Sequence, residues 1–142
     1  MDQLAAALKI ALANTFVMYF RAHSYHWNVE GPNFNDYHGY FGGLYDAVDP
    51  IAEHIRAIDK YAPISIADLY DAKTISEDGT LIQSTRQMFV NLITSNDEVI
   101  ASLNKAQELA VYAKQQGLAN FLQDRLDIHA KHGWQLRSLA KG

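Results

Sequence analysis

A hydrophobic rhythm of 3.6 residues begins almost at the first residue of this chain and leaves little choice of fold. Leu4, Leu8, Ala11, Leu12, Thr15, Met18, Tyr19, Ala22 and Tyr25 recur at i, i+3, i+4 spacing, which predicts a helix over the first 26 residues. Gly31-Pro32 breaks it, and Asn33 or Asn35 supplies a cap for a second helix running to about residue 61. That helix carries Phe34, Tyr37, Phe41, Leu44, Val48, Ile51, Ile55 and Ile58 in one stripe. Pro50 falls inside the stripe, lacks a backbone donor, and predicts a kink or break there. Residues 61–80 read as a connection, with a short helical turn over 66–70 and a turn at Glu77-Asp78-Gly79-Thr80. A third helix over about 80–115 is expected to stop at Gln115-Gln116-Gly117, and a fourth spans about 118–139. Four such helices with one long middle connection predict an all-α four-helix bundle, a single domain over residues 1–142.

The absence of cysteine excludes disulfides, thiolate metal sites and cysteine nucleophiles, and leaves six histidines as nitrogen ligands. Twelve basic against sixteen acidic residues give a net charge of -4, so DNA binding is expected to be weak or missing. No apolar run reaches membrane-spanning length and no basic leader opens the chain, so a cytoplasmic protein without a membrane segment is expected. Nucleotide-binding glycine loops, a nucleophile elbow and the H-E-x-x-H zinc motif are all missing.

Two clusters carry chemistry. His23-Ser24-Tyr25-His26-Trp27 closes the first helix, and His38, Asp46, Asp49 and Glu53 follow on the second. Asp49 and Glu53 are i, i+4 neighbours, and His38 stands about three turns before Asp49 on the same stripe. One reading of this stripe is a metal face, since carboxylates with imidazole suit iron, manganese or zinc. The other is a solvated acidic face with incidental histidines. His54 points away from Glu53 and is expected at the surface. His129 falls on the apolar side of the fourth helix and is expected as a hydrogen-bonded core histidine. His132 is expected to favour that helix's last carbonyls. Gly42-Gly43 inside the second helix points either to close packing against a neighbour or to tolerated weakness. For Trp27 and Trp134, packing is the first expectation.

The run His26-Trp27-Asn28-Val29-Glu30-Gly31-Pro32-Asn33-Phe34, followed by His38, resembles the signature of the Dps miniferritins. Asp49-x-x-Ala52-Glu53-x-Ile55-Arg56 is similar to the second half of that signature, and residues 131–137 resemble the family's terminal helix. The resemblance implies a ferritin-like bundle assembled through two-fold dimers into a dodecameric cage. It implies a ferroxidase centre at the dimer interface, where ferrous (non-haem) iron is oxidised, preferably by hydrogen peroxide, and stored as ferric mineral. Carried over, His26 and His38 come from one subunit, and Asp49 and Glu53, the latter as strongest ligand, from its mate. Two features depart from the pattern. The family's aspartate one turn after the second histidine is Gly42 here, and the interval from His38 to Asp49 is about one turn shorter. Asp46 is the candidate substitute, with Tyr45 or Trp27 lining the site. An ungapped matching would instead put Glu53 and Ala57 at the carboxylate positions. The alternative function is a ferritin-like assembly with a degenerate metal site.

Overall fold

The computed structural model describes residues 1–44 and 48–141. Its elements are α1 (Asp2–Asn28), α2 (Phe34–Gly43), α3 (Val48–Ala57), α4 (Ile66–Ala72), α5 (Thr85–Tyr112) and α6 (Gln116–Ala140), with no strand among the described residues. α1 packs against α2, α3, α4 and α5, and α5 packs against α6, so the expected four-helix bundle is present. Leu8, Met18, Phe41, Ile55, Phe89, Leu92, Leu103, Leu122 and Leu136 are buried in its main core. Each such side chain contributes about 1.5–3 kcal/mol by leaving water. Leu12, Ala13, Ile51 and Leu69 form a second cluster where α3 and α4 meet the other side of α1.

The expected second helix is two helices. α2 ends at Gly43, and Leu44 leaves helical geometry with ψ 73°. Pro50 stands in the first turn of α3, where a missing N–H breaks no intrahelical bond, rather than in a helix interior. α3 also ends early, at Ala57. Asp59 takes a left-handed φ of 62°, and Asp59 N and Lys60 N donate back to the Arg56 and Ile55 carbonyls. The same paired closure ends α5. Lys114 has φ 59°, its N donates to the Val111 carbonyl, and Gln115 N donates to the Ala110 carbonyl. The expected stop at Gly117 is therefore displaced: that glycine lies in the first turn of α6, and a lysine takes the left-handed position.

The connection between α4 and α5 is strapped down by polar side chains of α1. Asn14 is fully buried; its Oδ1 accepts from Thr74 N at 2.8 Å and Ile75 N at 3.3 Å, and its Nδ2 donates to Thr74 Oγ1 at 2.8 Å. Arg21 donates to Ser76 O, Ser95 Oγ and Asp78 Oδ1. Tyr25 donates to Asp78 Oδ2 at 2.7 Å and accepts from Asn91 Nδ2 at 3.0 Å. Ile75 is thereby held in the core. Ser84 then caps α5 by accepting from Gln87 N. Although α1 is long and apolar enough to cross a membrane, most of it is buried within the bundle, as a core helix is.

Asn14→Ala removes the acceptor of two main-chain donors, the buried Ile75 N and the part-buried Thr74 N, so it is expected to lower stability by about 1–3 kcal/mol in urea unfolding. Lys114→Gly relieves the left-handed strain on a residue with a Cβ and is expected to raise stability by about 1 kcal/mol in the same measurement.

Candidate functional site

The C-terminal end of α1 and the middle of α2 are joined by a pair of histidines. Gly31 makes the reversal between them with φ 120°, a conformation open to glycine alone. His26 then lies in the last turn of α1 and His38 one turn into α2. Their rings stack at 3.8 Å between centroids and 13° between planes, and Phe34 stacks on the other side of His38 at 4.9 Å. Nδ1 of His26 lies 2.6 Å from the His38 carbonyl oxygen, and Nδ1 of His38 lies 2.7 Å from the His26 carbonyl oxygen. A carbonyl oxygen only accepts, so each Nδ1 carries the proton and donates. With that proton on Nδ1, the nitrogen left to hold a lone pair in each ring is Nε2, and neither Nε2 meets a hydrogen-bond partner among the described residues. The His26 carbonyl belongs to the last turn of α1, where intrahelical donors run out, so His38 also caps that helix.

This arrangement suits metal ligation. A ligating imidazole needs one free nitrogen and gains orientation when the other nitrogen donates to a carbonyl. The stack also limits how ions can bind. A metal sits close to the plane of the imidazole that holds it, and planes 13° from parallel do not meet near these rings. The pair cannot chelate one ion as it stands; it offers two separate nitrogen donors.

The carboxylates stand apart. Asp49 and Glu53 lie on α3, exposed and one turn from each other, as the spacing predicts. His38 was placed in register with them by treating the second helix as continuous, and that premise fails at Leu44. Among the described residues, no group of three or more histidines and carboxylates is positioned to hold a metal within one chain. Asp46 and Tyr45 lie outside the described residues.

Other expectations resolve individually. His129 is the hydrogen-bonded core histidine foreseen from its spacing. Its Nδ1 donates to Asn96 Oδ1 at 2.8 Å, its carbonyl accepts from Asn96 Nδ2 at 2.9 Å, and Arg125 approaches its Nε2 at 3.4 Å. His132 sets its ring edge against His129, two turns short of the helix end where its role was expected. His54 is half-buried rather than at the surface, because its ring packs on Phe121 at 4.4 Å. Trp27 and Trp134 are each 60% exposed, so neither is a core anchor of this chain.

The sequence reading missed an aromatic ridge on α1. Tyr19, His23 and Trp27 repeat every four residues and touch in succession, 4.2 and 6.1 Å apart. The spacing was visible; the burial was not. His23 Nε2 is buried without a partner among the described residues, and burial, then the neighbouring His26, pulls the His23 pKa below its usual value. Tyr40 likewise hides its hydroxyl, and burial pushes its pKa up to about 12. Tyr25 is pushed up further, by burial and then by its bond to Asp78.

The family model described as the ferritin-like domain matches residues 5–141. A relative named DNA protection during starvation protein, from Brevibacillus brevis, is 29% identical over 140 residues, covering 95% of this chain and 93% of its own. The Dps structure from Thermosynechococcus elongatus superposes with a TM-score of 0.92 at 27% identity, over 97% of this chain and 90% of that one. The Dps of Vibrio cholerae O1, described as a member of a superfamily of ferritin-like diiron-carboxylate proteins, gives a TM-score of 0.89 at 26% identity, over 97% and 89% of the two chains.

Burial disfavours the charged form of His23, so the unfolded chain takes up that proton more readily than the folded one. The sign is fixed: stability from this group is present above about pH 6.5 and is lost as pH falls below it. The urea midpoint of the parent protein is expected to drop more between pH 7.5 and 5.5 than that of His23→Phe.

Proposed function

The chain belongs to the ferritin-like domain family, as a Dps-like miniferritin, and from that premise we propose that it binds ferrous iron, oxidises it with hydrogen peroxide and stores the ferric product. The observation that carries the proposal is the reciprocal bonding of His26 and His38, which protonates both Nδ1 atoms and leaves two Nε2 donors. Because the stacked rings cannot share one ion, each imidazole serves its own ferrous ion. Two ions at one centre match the chemistry: two ferrous ions give one electron each to hydrogen peroxide, which takes two protons and leaves as two waters. A two-electron reduction of the peroxide avoids releasing a hydroxyl radical.

Two neutral imidazoles do not neutralise two divalent ions, so carboxylates must complete the centre. Asp49 and Glu53 are exposed in the single chain and carry no ion pair among the described residues, which leaves them for a second copy. We assign the complete centre to His26 and His38 of one subunit with Asp49 and Glu53 of its two-fold mate. Such dimers are the building unit of a closed cage, twelve subunits in the family resemblance. With a net charge of -4, stress protection by this chain rests on iron removal rather than on coating DNA.

A degenerate centre is the second reading, and Gly42 favours it, since no carboxylate stands one turn after His38. Glu53→Ala and His38→Ala separate the two. Each is expected to weaken ferrous-iron binding by about 10–100-fold and to slow peroxide-dependent oxidation correspondingly. Oxidation by both variants at the parent rate would mean that the site is elsewhere or absent, and the degenerate reading would then replace this one. Light scattering is expected to give a mass of many subunits, and a monomer at micromolar concentration would end the shared-centre assignment.

A further inference from the structure

Phe34 is a large apolar side chain that belongs to neither core cluster. It is 39% exposed, and among the described residues its ring contact is with His38. A singly exposed aromatic is ordinary on a protein surface and by itself points to nothing. The geometry of this one is particular. The Phe34 and His38 planes are 19° apart with centroids at 4.9 Å, and the His38 and His26 planes are 13° apart with centroids at 3.8 Å. Three rings form one stack, and His38 is the middle one.

The stack follows from the local sequence. The Gly31 reversal closes with Phe34 N donating to the Gly31 carbonyl at 3.1 Å, which makes Phe34 the first residue of α2. A helical side chain leans over the turn on the N-terminal side of its own Cα, so the His38 ring comes to lie beside residue 34. The ring needs such a neighbour. The torsion that turns an imidazole about its Cβ–Cγ bond has broad minima, so rotamer preference alone does not fix where the two nitrogens point. The bond from Nδ1 to the His26 carbonyl fixes one edge of the ring. The flat faces of His26 and Phe34 fix its plane.

We propose that Phe34 is a positioning residue of the metal centre: its face holds the His38 ring flat against His26, so that Nδ1 stays on the His26 carbonyl and Nε2 is presented in one direction to a metal ion. This rests on the reading that His26 and His38 ligate metal. Phe34 acts through His38 and is not a ligand. Without the aromatic face, one side of the His38 ring lies open, water competes for Nδ1–H, and the imidazole turns and divides its proton between the two nitrogens. Leucine keeps apolar bulk at this position but offers no flat face, whereas tyrosine keeps the face.

The experiment compares Phe34→Leu and Phe34→Tyr with the parent. Circular dichroism and light scattering check that each variant folds and assembles as the parent does. Two measurements are made on the assembled protein. The first is the imidazole nitrogen NMR spectrum of the metal-free form, which reports the tautomer of His38. The second is zinc affinity against a competing chelator, with zinc as a probe that undergoes no redox chemistry. Phe34→Leu is expected to show mixed tautomers at His38 and to bind zinc about 3–10-fold more weakly, as the loss of one aromatic contact implies. Phe34→Tyr is expected to match the parent in both. Retention of the single Nδ1–H signature or of the parent's affinity by Phe34→Leu overturns the proposal and leaves the metal reading standing. A loss in Phe34→Tyr equal to that in Phe34→Leu also overturns it, since the flat face is then not what matters. A parent that shows the Nδ1–H signature of His38 and binds no zinc overturns the metal reading, and the proposal with it.

Discussion

α1 must be covered on nearly every side, and the other elements are arranged to do so. Its apolar stripe is wide enough that α2, α3, α4 and α5 all lie against it. Such a helix has little room for polar atoms, yet it carries Asn14 fully buried. An unpaired amide there would cost about 1–3 kcal/mol per orphaned group. Pairing it with the main chain of Thr74 and Ile75 fixes where the long connection crosses the bundle. Arg21 and Tyr25, about two and three turns further along α1, fasten the next residues of the connection through Ser76 and Asp78. A segment without regular structure is thus tied to the first helix at Thr74, Ile75, Ser76 and Asp78.

The histidine pair follows from the same helix. α1 ends with carbonyls that have no intrahelical donor, and the glycine reversal returns α2 past that end. His38 satisfies one of those carbonyls, and His26 reaches across to the carbonyl of His38. Capping a helix and presenting a metal donor are therefore one arrangement. Each ring spends its Nδ1 proton on backbone and keeps Nε2 for chemistry. The His26 ring lies against Gly42 in the same arrangement.

Much of this was legible in particular residues. The 3.6-residue rhythm located the four arms of the bundle, because burial against a core selects that period. His129 on the apolar side of its helix pointed to a core hydrogen bond, and Asn96 supplies it. The run from His26 to His38 identified both histidines through its likeness to a known signature. The misplacements share one physical origin. Lys114 and Asp59 accept left-handed conformations that composition assigns to glycine, because two returning backbone bonds at each helix end offset the strain. Pro50 marked an interruption, but the interruption lies upstream of it, since proline fits a first helical turn.

The sequence by itself determined the helical class, the location of the arms and the residue types able to hold a metal, because periodicity and side-chain chemistry are local properties. Only the tertiary structure decided which histidine meets which carbonyl and that the His26 ring lies against Gly42. It alone showed that the Nε2 atom of His23 is buried and that the ring of His54 is half-buried against Phe121. Those outcomes depend on the distance between elements far apart in the chain, and no local pattern encodes that distance.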